Sequence, residues 1–255
     1  MSIHRTSAVE RGFVLLSSPR CGSTTLIECL GLHPDLTVRS EPFNAETGVA
    51  APVAREQQPA RQRAAFDRAV KELFARVDGI KHVLHQLPPL LTRRLVRARR
   101  VILLHRANLL RQAVSNTLAF ATGVWHAGDG AWPPKALPRL DPRELASTML
   151  WYERALRVHR AILTRDRVEH VELTYRELFS TAGWPAQRAM LDRLFDFIGV
   201  SRLSSPALLD RARAALDPTR HRLNSALTYR LIPNHREIDE RLGSAEYGFL
   251  LDPPP

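Results

Sequence analysis

A short polar segment between two apolar stretches has the residue types of an anion-binding loop. The apolar run of residues 12–17 ends at SSPRCGSTT, and apolar residues then return at helical spacing. A loop between a strand and a helix presents unpaired backbone N–H groups at the helix N-terminus, which favour an anion. Gly22 lets a ligand approach the backbone, and Arg20 can bind a phosphate through two parallel hydrogen bonds. The other candidate ligand-binding residues of the loop are Cys21, Ser23, Thr24 and Thr25.

The loop lacks the lysine of the common triphosphate-binding loop. A nucleotide kinase or ATPase loop has the pattern G-x-x-x-x-G-K-[ST]. When the patterns are aligned on Gly22, Ser17 replaces the first glycine and Ser23 replaces the lysine. The loop therefore suits a single 5′-phosphate better than a triphosphate. The hydroxyls of residues 23–25 are expected to donate hydrogen bonds and to cap the helix, although an ordinary turn can have the same composition.

A second basic residue follows another apolar run. The segment VILLHRANLLRQAVS predicts a buried strand over residues 101–104, with Arg106 just beyond its end and Ser115 on the next helix. Ligands of open α/β sheets bind outside the carboxyl ends of the parallel strands. We therefore expect Arg106 to share a crevice with the first loop, although alone it could simply begin a solvated turn.

The elements that would position these segments alternate between strands and helices. Strands are predicted over residues 12–17, 79–87, 101–104 and 167–175, with a short one at 36–38. Helices are predicted over residues 24–32, 61–77, 91–98, 109–121, 143–163, 184–198 and 206–216. Residues 122–142 are predicted to form a long Gly/Pro-rich loop, and residues from 217 onwards to be irregular. This alternation predicts an α/β fold with a mainly parallel sheet covered on both faces. The segment 79–87 is ambiguous, because its apolar residues have helical spacing although it is short and ends at two prolines.

The composition is that of a globular protein with an excess of positive charge. The chain has 255 residues, 44% hydrophobic and 25% charged, and no repeat or linker divides it. We predict one domain over residues 1–255, with a core at about 12–200 and a helical or irregular extension over 201–255. The formal net charge of +11 favours an anionic ligand. Its two cysteines have no metal-ligand spacing. The sequence lacks an apolar run of transmembrane length and the apolar core of a signal peptide, so we expect a cytoplasmic protein.

Taken together, the two polar segments resemble those of sulfotransferases that use 3′-phosphoadenosine 5′-phosphosulfate (PAPS). SPRCGSTTL is similar to their 5′-phosphosulfate loop, P-[RK]-S-G-[ST]-[ST], and LLHRANLLRQAVS is similar to their 3′-phosphate motif of an arginine and a later serine. LHPDLTVRSEPFN, GIKHVLHQL, VELTYREL and LFDFIGV also resemble family segments, in order along residues 12–200. QAVSNTLAFATGVWH is closest to the bacterial branch typified by trehalose 2-sulfotransferase. Cys21 departs from the usual serine, and the C-terminal arginine-glycine loop of the animal cytosolic enzymes is not evident.

The resemblance implies a three-layer, P-loop-NTPase-like fold and transfer of a sulfuryl group from PAPS to an acceptor hydroxyl on a sugar, a lipid or a natural product. A donor carrying about four negative charges suits a basic protein, and the reaction requires no metal. The implied donor-binding residues are Arg20, Cys21, Gly22, Ser23, Thr24, Thr25, Arg106 and Ser115. The expected partner is a small-molecule or glycan acceptor and not a nucleic acid. The oligomeric state stays open, with a homodimer as one option.

Arg20 and Glu41 are the predicted catalytic residues. Arg20 would neutralise charge on the leaving phosphate, and Glu41 falls where related enzymes have a glutamate that acts as base. Glu41 could instead be a loop residue paired with Arg39 or a helix end. His85, which resembles the histidine of the cytosolic enzymes or packs in the interior, and His126 are the other candidate bases. The candidate acceptor-binding residues are Lys81, His85, Trp125 and His126.

Two alternative functions stay open from the sequence, and so does the role of Lys81. A phosphate-loop nucleotide kinase would share the strand–loop–helix pattern, but the missing lysine argues against it. A non-catalytic anion- or nucleic-acid-binding protein would use the basic segment TRRLVRARR at residues 92–100, which lacks interleaved aromatic residues for base stacking. Lys81 is either an ordinary strand-edge residue or a cation near the acceptor.

Overall fold

The computed structural model describes residues 12–44, 59–97, 99–125, 136–179, 182–217 and 226–251. His126, one of the predicted acceptor-binding residues, lies outside the described residues, as does much of the predicted loop around it.

A parallel sheet with the strand order β2-β3-β1-β4-β5 forms the centre of the described structure. Its strands are β1 Phe13–Ser17, β2 Val38–Ser40, β3 Gly79–Val83, β4 Arg100–His105 and β5 His170–Thr174. Each neighbouring pair runs parallel. The chain proceeds from β1 to one side of the sheet and returns to the other side at β4. This reversal creates a crevice between the carboxyl ends of β1 and β4, where such folds bind ligands.

Helices connect the strands and extend beyond the last of them. They are α1 Ser23–Leu30, α2 Pro59–Phe74, α3 Pro89–Val96, α4 Leu109–Thr122, α5 Pro142–Arg165, α6 Tyr175–Leu178, α7 Trp184–Ile198, α8 Pro206–Ala215, α9 Ala226–Arg230 and α10 His235–Leu242. The prediction that residues from 217 onwards are irregular is wrong for α9 and α10. The short strand predicted at residues 36–38 lies at β2 instead. In the described ranges, none of the helices combines the length and apolar character needed to span a bilayer.

Alternation along the strands produces the two apolar layers that enclose the sheet. Phe13 and Leu15 belong to a core cluster with residues of α1 and α7, whereas Val14 and Leu16 belong to a second cluster with residues of α2, α3 and α5. The five residues of β1 are therefore buried on both faces, which explains its continuous apolar sequence. This is the three-layer α/β arrangement that the sequence predicts.

A third apolar cluster attaches the C-terminal residues to α4. It joins residues of α4 and the first half of α5 to Tyr229 on α9, Ile232 in the turn that follows, and Ile238 on α10. Polar contacts reinforce it: Asn108 Nδ2 donates to the carbonyl oxygen of Phe249 at 2.9 Å, and Arg111 Nε donates to that of Leu250 at 3.0 Å. The C-terminal segment is therefore packed against the beginning of the helix that carries Ser115. That the whole chain forms one domain stays a prediction.

Candidate functional site

The loop after β1 enters α1 through left-handed backbone conformations. Arg20 has a φ of 62° and Gly22 a φ of 80°. Gly22 is the N-cap residue of α1 and no side chain caps the helix, so the prediction that the hydroxyls of residues 23–25 would cap it is wrong. The helix begins at Ser23 and those hydroxyls belong to its first turn. The N–H groups of this turn therefore lack a capping side chain, which leaves them available to an anion.

Gly22 is also required by packing within the protein. A Cβ atom at this position would lie 2.6 Å from Cε2 of Phe179, next to α6. The sequence predicts that this glycine allows a ligand to approach the backbone, whereas its immediate steric neighbour is an aromatic ring. The same packing fixes the loop between the sheet and α6, and so determines where the first turn of α1 is directed.

Arg20 connects the two segments that were predicted to bind the nucleotide. Its Nε donates to Ser115 Oγ at 3.1 Å, across 95 residues of sequence, and its Nη1 donates to the carbonyl oxygen of Trp125 at 2.8 Å. Arg106, just after β4, donates to the carbonyl oxygen of Arg20 at 3.5 Å, and its guanidinium lies 4.4 Å from the ring centroid of Tyr175. Both arginines and Ser115 thus lie at the crevice between β1 and β4.

The electrostatics of this crevice favour an anion. Burial lowers the pKa of Arg20, and the positive charge of Arg106 lowers it further. Within the described residues, neither arginine forms an ion pair with a carboxylate. Two neighbouring guanidinium groups that repel each other and lack an internal counter-ion would be stabilised by an anion placed between them.

Glu41 lies on the other side of β1 and is held by a network of hydrogen bonds. Lys81, on β3, bridges the two parts of the site: its Nζ lies 2.6 Å from Glu41 Oε1 and donates to Thr24 Oγ1 at 2.8 Å. Gln86 Nε2 donates to Glu41 Oε2 at 2.6 Å, and Asn44 Nδ2 donates to the same oxygen at 3.4 Å. The first turn of α1 and the carboxylate of Glu41 are therefore joined through the ammonium group of Lys81. The ionic partner of Glu41 is thus Lys81 and not Arg39, which was considered from the sequence.

The environment of Glu41 keeps its carboxylate ionised while leaving it accessible. Burial alone would raise the pKa of Glu41, but the hydrogen bond and charge of Lys81 and the hydrogen bonds from Asn44 and Gln86 outweigh it, so the pKa is lowered. These contacts occupy three of the roughly four lone-pair directions of a carboxylate. Because the side chain is 28% exposed, one direction remains for a proton donor from outside.

The backbone at Glu41 is as unusual as that at Arg20. Glu41 has a φ of 48°, and among the described residues the others outside glycine with positive φ are Arg20 and Arg167. Such conformations cost about 1–3 kcal/mol and concentrate at functional sites, where surrounding contacts hold them in place. Both residues predicted as catalytic are therefore held in strained conformations. Arg167 lies in the turn between α5 and β5.

Lys81 and His85 are placed differently from some of the alternatives considered from the sequence. The strand-edge interpretation of Lys81 is wrong, because β3 lies between β2 and β1 and the residue is only 3% exposed. The interior interpretation of His85 is also wrong: it is exposed in the turn after β3, with its ring centroid 6.0 Å from that of Trp151. The buried histidine of this segment is His82, and burial lowers its pKa to about 3.

Two exposed aromatic rings lie beside residues that were predicted to belong to the site. Trp125 is 37% exposed, lies 6.0 Å from the guanidinium carbon of Arg20 and packs edge-on against Phe120. Trp151 is 42% exposed and packs against His85. These rings present exposed apolar surface beside Arg20 and His85.

Cys21 contributes only its backbone to the candidate site. Its side chain is fully buried, its Sγ lies 3.7 Å from the carbonyl oxygen of Pro19, and burial raises its thiol pKa to about 12. Cys29 is also buried, in the same core cluster. In the part of the chain that the structure describes, no group of histidine, cysteine or acidic side chains is arranged to hold a metal ion.

Gln86, Asn44 and Tyr175 were missed by the sequence interpretation. Gln86 lies just beyond the carboxyl end of β3, as Arg106 does beyond that of β4. Its Oε1 accepts from the backbone N–H of Val83 at 3.2 Å, which orients its amide toward Glu41. The rule that ligand-binding residues follow the carboxyl ends of strands would have identified Gln86. No sequence signal identifies Tyr175, because its role depends on the position of Arg106.

Comparisons with known proteins find similarity at the level of structure. No known family profile and no curated protein matches the chain. A sulfotransferase domain from the curacin biosynthetic pathway is 16% identical over 92% of this chain and 98% of that chain, with a TM-score of 0.51. A sulfotransferase from Alicyclobacillus acidocaldarius is 15% identical over 91% of this chain and 96% of that chain, with a TM-score of 0.42. A mouse sulfotransferase complexed with PAP (adenosine 3′,5′-bisphosphate) is 14% identical over 84% of this chain and 66% of that chain, with a TM-score of 0.46. The likeness to the curacin domain confirms the predicted P-loop-NTPase-like α/β fold.

Proposed function

We propose that this protein is a sulfotransferase that moves a sulfuryl group from PAPS to an acceptor hydroxyl. The observation that carries the proposal is the contact between Arg20 and Ser115, 3.1 Å apart. It unites two segments whose sequences resemble the 5′-phosphosulfate loop and the 3′-phosphate motif of that family. A single nucleotide with phosphates at both ends can engage both segments only if they share one crevice.

The crevice has the groups that this donor requires. The uncapped first turn of α1 and Arg20 are suited to the 5′-phosphosulfate, since helix N-termini and guanidinium groups both bind such anions. Arg106 and Ser115 are suited to the 3′-phosphate. Two arginines without a carboxylate partner in the described chain fit a ligand of about four negative charges better than they fit a neutral ligand.

The proposed reaction is an in-line displacement at sulfur. The acceptor oxygen forms a bond to sulfur as the bond between sulfur and the 5′-phosphate oxygen breaks. Negative charge then accumulates on the leaving phosphate, next to Arg20 and the first turn of α1, which would stabilise it. Glu41 takes the proton of the acceptor hydroxyl through its remaining lone pair. Lys81 contacts both Thr24 and Glu41, and it therefore holds the base at a fixed position relative to the donor loop. Such a transfer needs this positioning.

The finer features of the function are part of the same proposal. The acceptor is a small molecule or a glycan, and Lys81, His85, Trp125 and His126 are its proposed contacts. The chain is proposed to be a cytoplasmic single-domain protein closest to the bacterial trehalose 2-sulfotransferase branch. His85 and His126 are the next candidates for the base should Glu41 not fill that role.

A comparison of nucleotides tests the proposal directly. Adenosine 3′,5′-bisphosphate (PAP) should raise the melting temperature of the protein more than AMP does at equal concentration, because only PAP can engage Arg106 and Ser115 through a 3′-phosphate. Equal shifts would contradict the assignment of the 3′-phosphate site. A larger Mg²⁺-dependent shift with ATP would favour a nucleotide kinase instead. Binding of PAP without any transfer from PAPS to a panel of hydroxyl acceptors would leave a non-catalytic binder.

A further inference from the structure

The C-terminal residues supply a buried hydroxyl group that no contact within the described residues satisfies. Tyr229, on α9, is 2% exposed, and its Oη is a buried polar atom without a hydrogen-bond partner in the described structure. A buried hydroxyl that makes no hydrogen bond costs about 1–3 kcal/mol. Such a group is retained at low cost only if a ligand or water satisfies it.

The ring of Tyr229 is positioned along the face of α4 that carries Ser115. It lies 5.9 Å from the guanidinium carbon of Arg111 and belongs to the apolar cluster built on α4. Arg111 and Ser115 are four residues apart in one helix, so their side chains lie on the same face one turn apart. Tyr229 therefore packs beside the face of α4 on which Arg20 meets Ser115.

Tyr229 is also within electrostatic range of Arg20. Burial lowers the pKa of the Arg20 guanidinium, and Tyr152, Tyr175 and Tyr229 lie close enough to act in the opposite direction. The guanidinium itself donates hydrogen bonds to Ser115 and to the carbonyl oxygen of Trp125. Arg111 contacts the C-terminal residues twice: its guanidinium carbon lies 5.9 Å from the ring centroid of Tyr229 and its Nε donates to the carbonyl oxygen of Leu250. The hydroxyl of Tyr229 thus lies near the contact between Arg20 and Ser115 and has no hydrogen-bond partner among the described residues.

We infer that Tyr229 Oη donates a hydrogen bond to the 3′-phosphate of the nucleotide held between Arg106 and Ser115. The inference rests on the proposed function, because it requires a nucleotide with a 3′-phosphate in the crevice. It gives the C-terminal extension a role in donor binding that its sequence does not indicate. Tyr229 is a binding residue here and takes no part in the proton transfer.

The substitution Tyr229→Phe tests the inference, because it removes the hydroxyl and keeps the ring that packs on α4. Hydrogen bonds to charged groups are the stronger ones, so PAP affinity measured by titration calorimetry should fall by about 10- to 100-fold. Affinity for AMP should stay within about twofold of wild type. The melting temperature without ligand should stay the same or rise, since the substitution deletes an unsatisfied buried group.

Tyr247→Phe is the matched control. Tyr247 also packs beside α4, where its carbonyl oxygen accepts from Leu110 N at 3.2 Å, but its hydroxyl is directed at Glu153, whose charge raises the pKa of Tyr247. This variant should bind PAP as wild type does. Equal PAP affinity in Tyr229→Phe and wild type would overturn the inference, as would an equal loss for AMP or a melting temperature without ligand lowered by several degrees. If wild type itself fails to prefer PAP over AMP, the proposed function fails together with it.

Discussion

The replacement Glu41→Gln isolates the proposed base from the rest of the site. Glutamine keeps the length and shape of the side chain and one carbonyl oxygen, but it cannot accept a proton. Loss of a general base lowers kcat by about 10²- to 10⁴-fold, which corresponds to about 3–5 kcal/mol of the activation barrier. PAP should still bind, because Arg20, Arg106 and Ser115 lie on other segments.

The same replacement has a calculable cost in stability. Lys81 has a side chain only 4% exposed and would lose its ionic partner. Removing one member of a buried ion pair costs about 3–5 kcal/mol, but the glutamine carbonyl retains one hydrogen bond, so we expect a loss of about 2 kcal/mol. For a chain of this size that lowers the melting temperature by about 4–8 °C. Native stabilities of about 5–15 kcal/mol leave the variant folded at 25 °C.

The assay compares sulfuryl transfer from PAPS, PAP affinity and melting temperature in one set of variants. Glu28→Gln, on the exposed face of α1, is the control for removing a carboxylate without touching the network. Transfer within about threefold of wild type in Glu41→Gln would refute the base assignment and make His126 or His85 the next residue to replace. Loss of PAP binding along with turnover would instead indicate that Glu41 supports the structure of the donor site.

Three further predictions follow from the same contacts. Arg20→Ala should lower kcat by about 100-fold in single-turnover experiments at saturating PAPS, because the leaving phosphate loses a charged contact; an unchanged rate in the folded variant would move the reaction away from this loop. Lys81→Met should raise the pKa of Glu41, because it removes the hydrogen bond and charge that lower it; the acid limb of the kcat/KM profile should then move to higher pH, and an unmoved limb would separate Lys81 from the base. His82→Leu should flatten the fall in stability below pH 6.5. The pKa of His82 is about 3 in the folded protein against an ordinary 6.5, so between these values only the unfolded chain takes up the proton and the free energy of unfolding falls by about 1.4 kcal/mol per pH unit. Above pH 6.5 this contribution to stability is fully present. Denaturant titrations at pH 7, 5.5 and 4.5 measure the difference, and an unchanged slope would contradict the assignment.

Much of the fold follows from residue patterns that act locally. The apolar runs of β1 and β4 are buried on both faces, and such strands are recognisable because nearly every position must be apolar. The helices that were predicted within the first two hundred residues lie close to their predicted bounds, because their apolar periodicity is visible in the sequence. The four-residue helix α6 was not predicted. The C-terminal helices were not predicted, because α9 spans five residues and α10 is highly polar. They are stabilised because Tyr229, Ile232 and Ile238 join the apolar cluster of α4 and α5, which no local pattern indicates.

The sequence by itself determined which residue types could bind a phosphorylated donor. Arg20, Gly22 and the hydroxyls that follow them form a recognisable loop, because a strand, a loop and a helix N-terminus are contiguous in the chain. Arg106 and Ser115 were expected in the same crevice because the carboxyl ends of parallel strands meet at one edge of a sheet.

Only the tertiary structure decided which of these groups touch and what their charges become. The network from Thr24 through Lys81 to Glu41 and Gln86 joins three segments that are separate in sequence: α1, the loop after β2, and β3 with its following turn. The pKa of Glu41 is lowered because contacts a few ångströms long outweigh the opposing effect of burial, and electrostatic interactions weaken with separation and with exposure to water. Residue types and their spacing contain no such distances, so they emerge only when the strands are packed side by side.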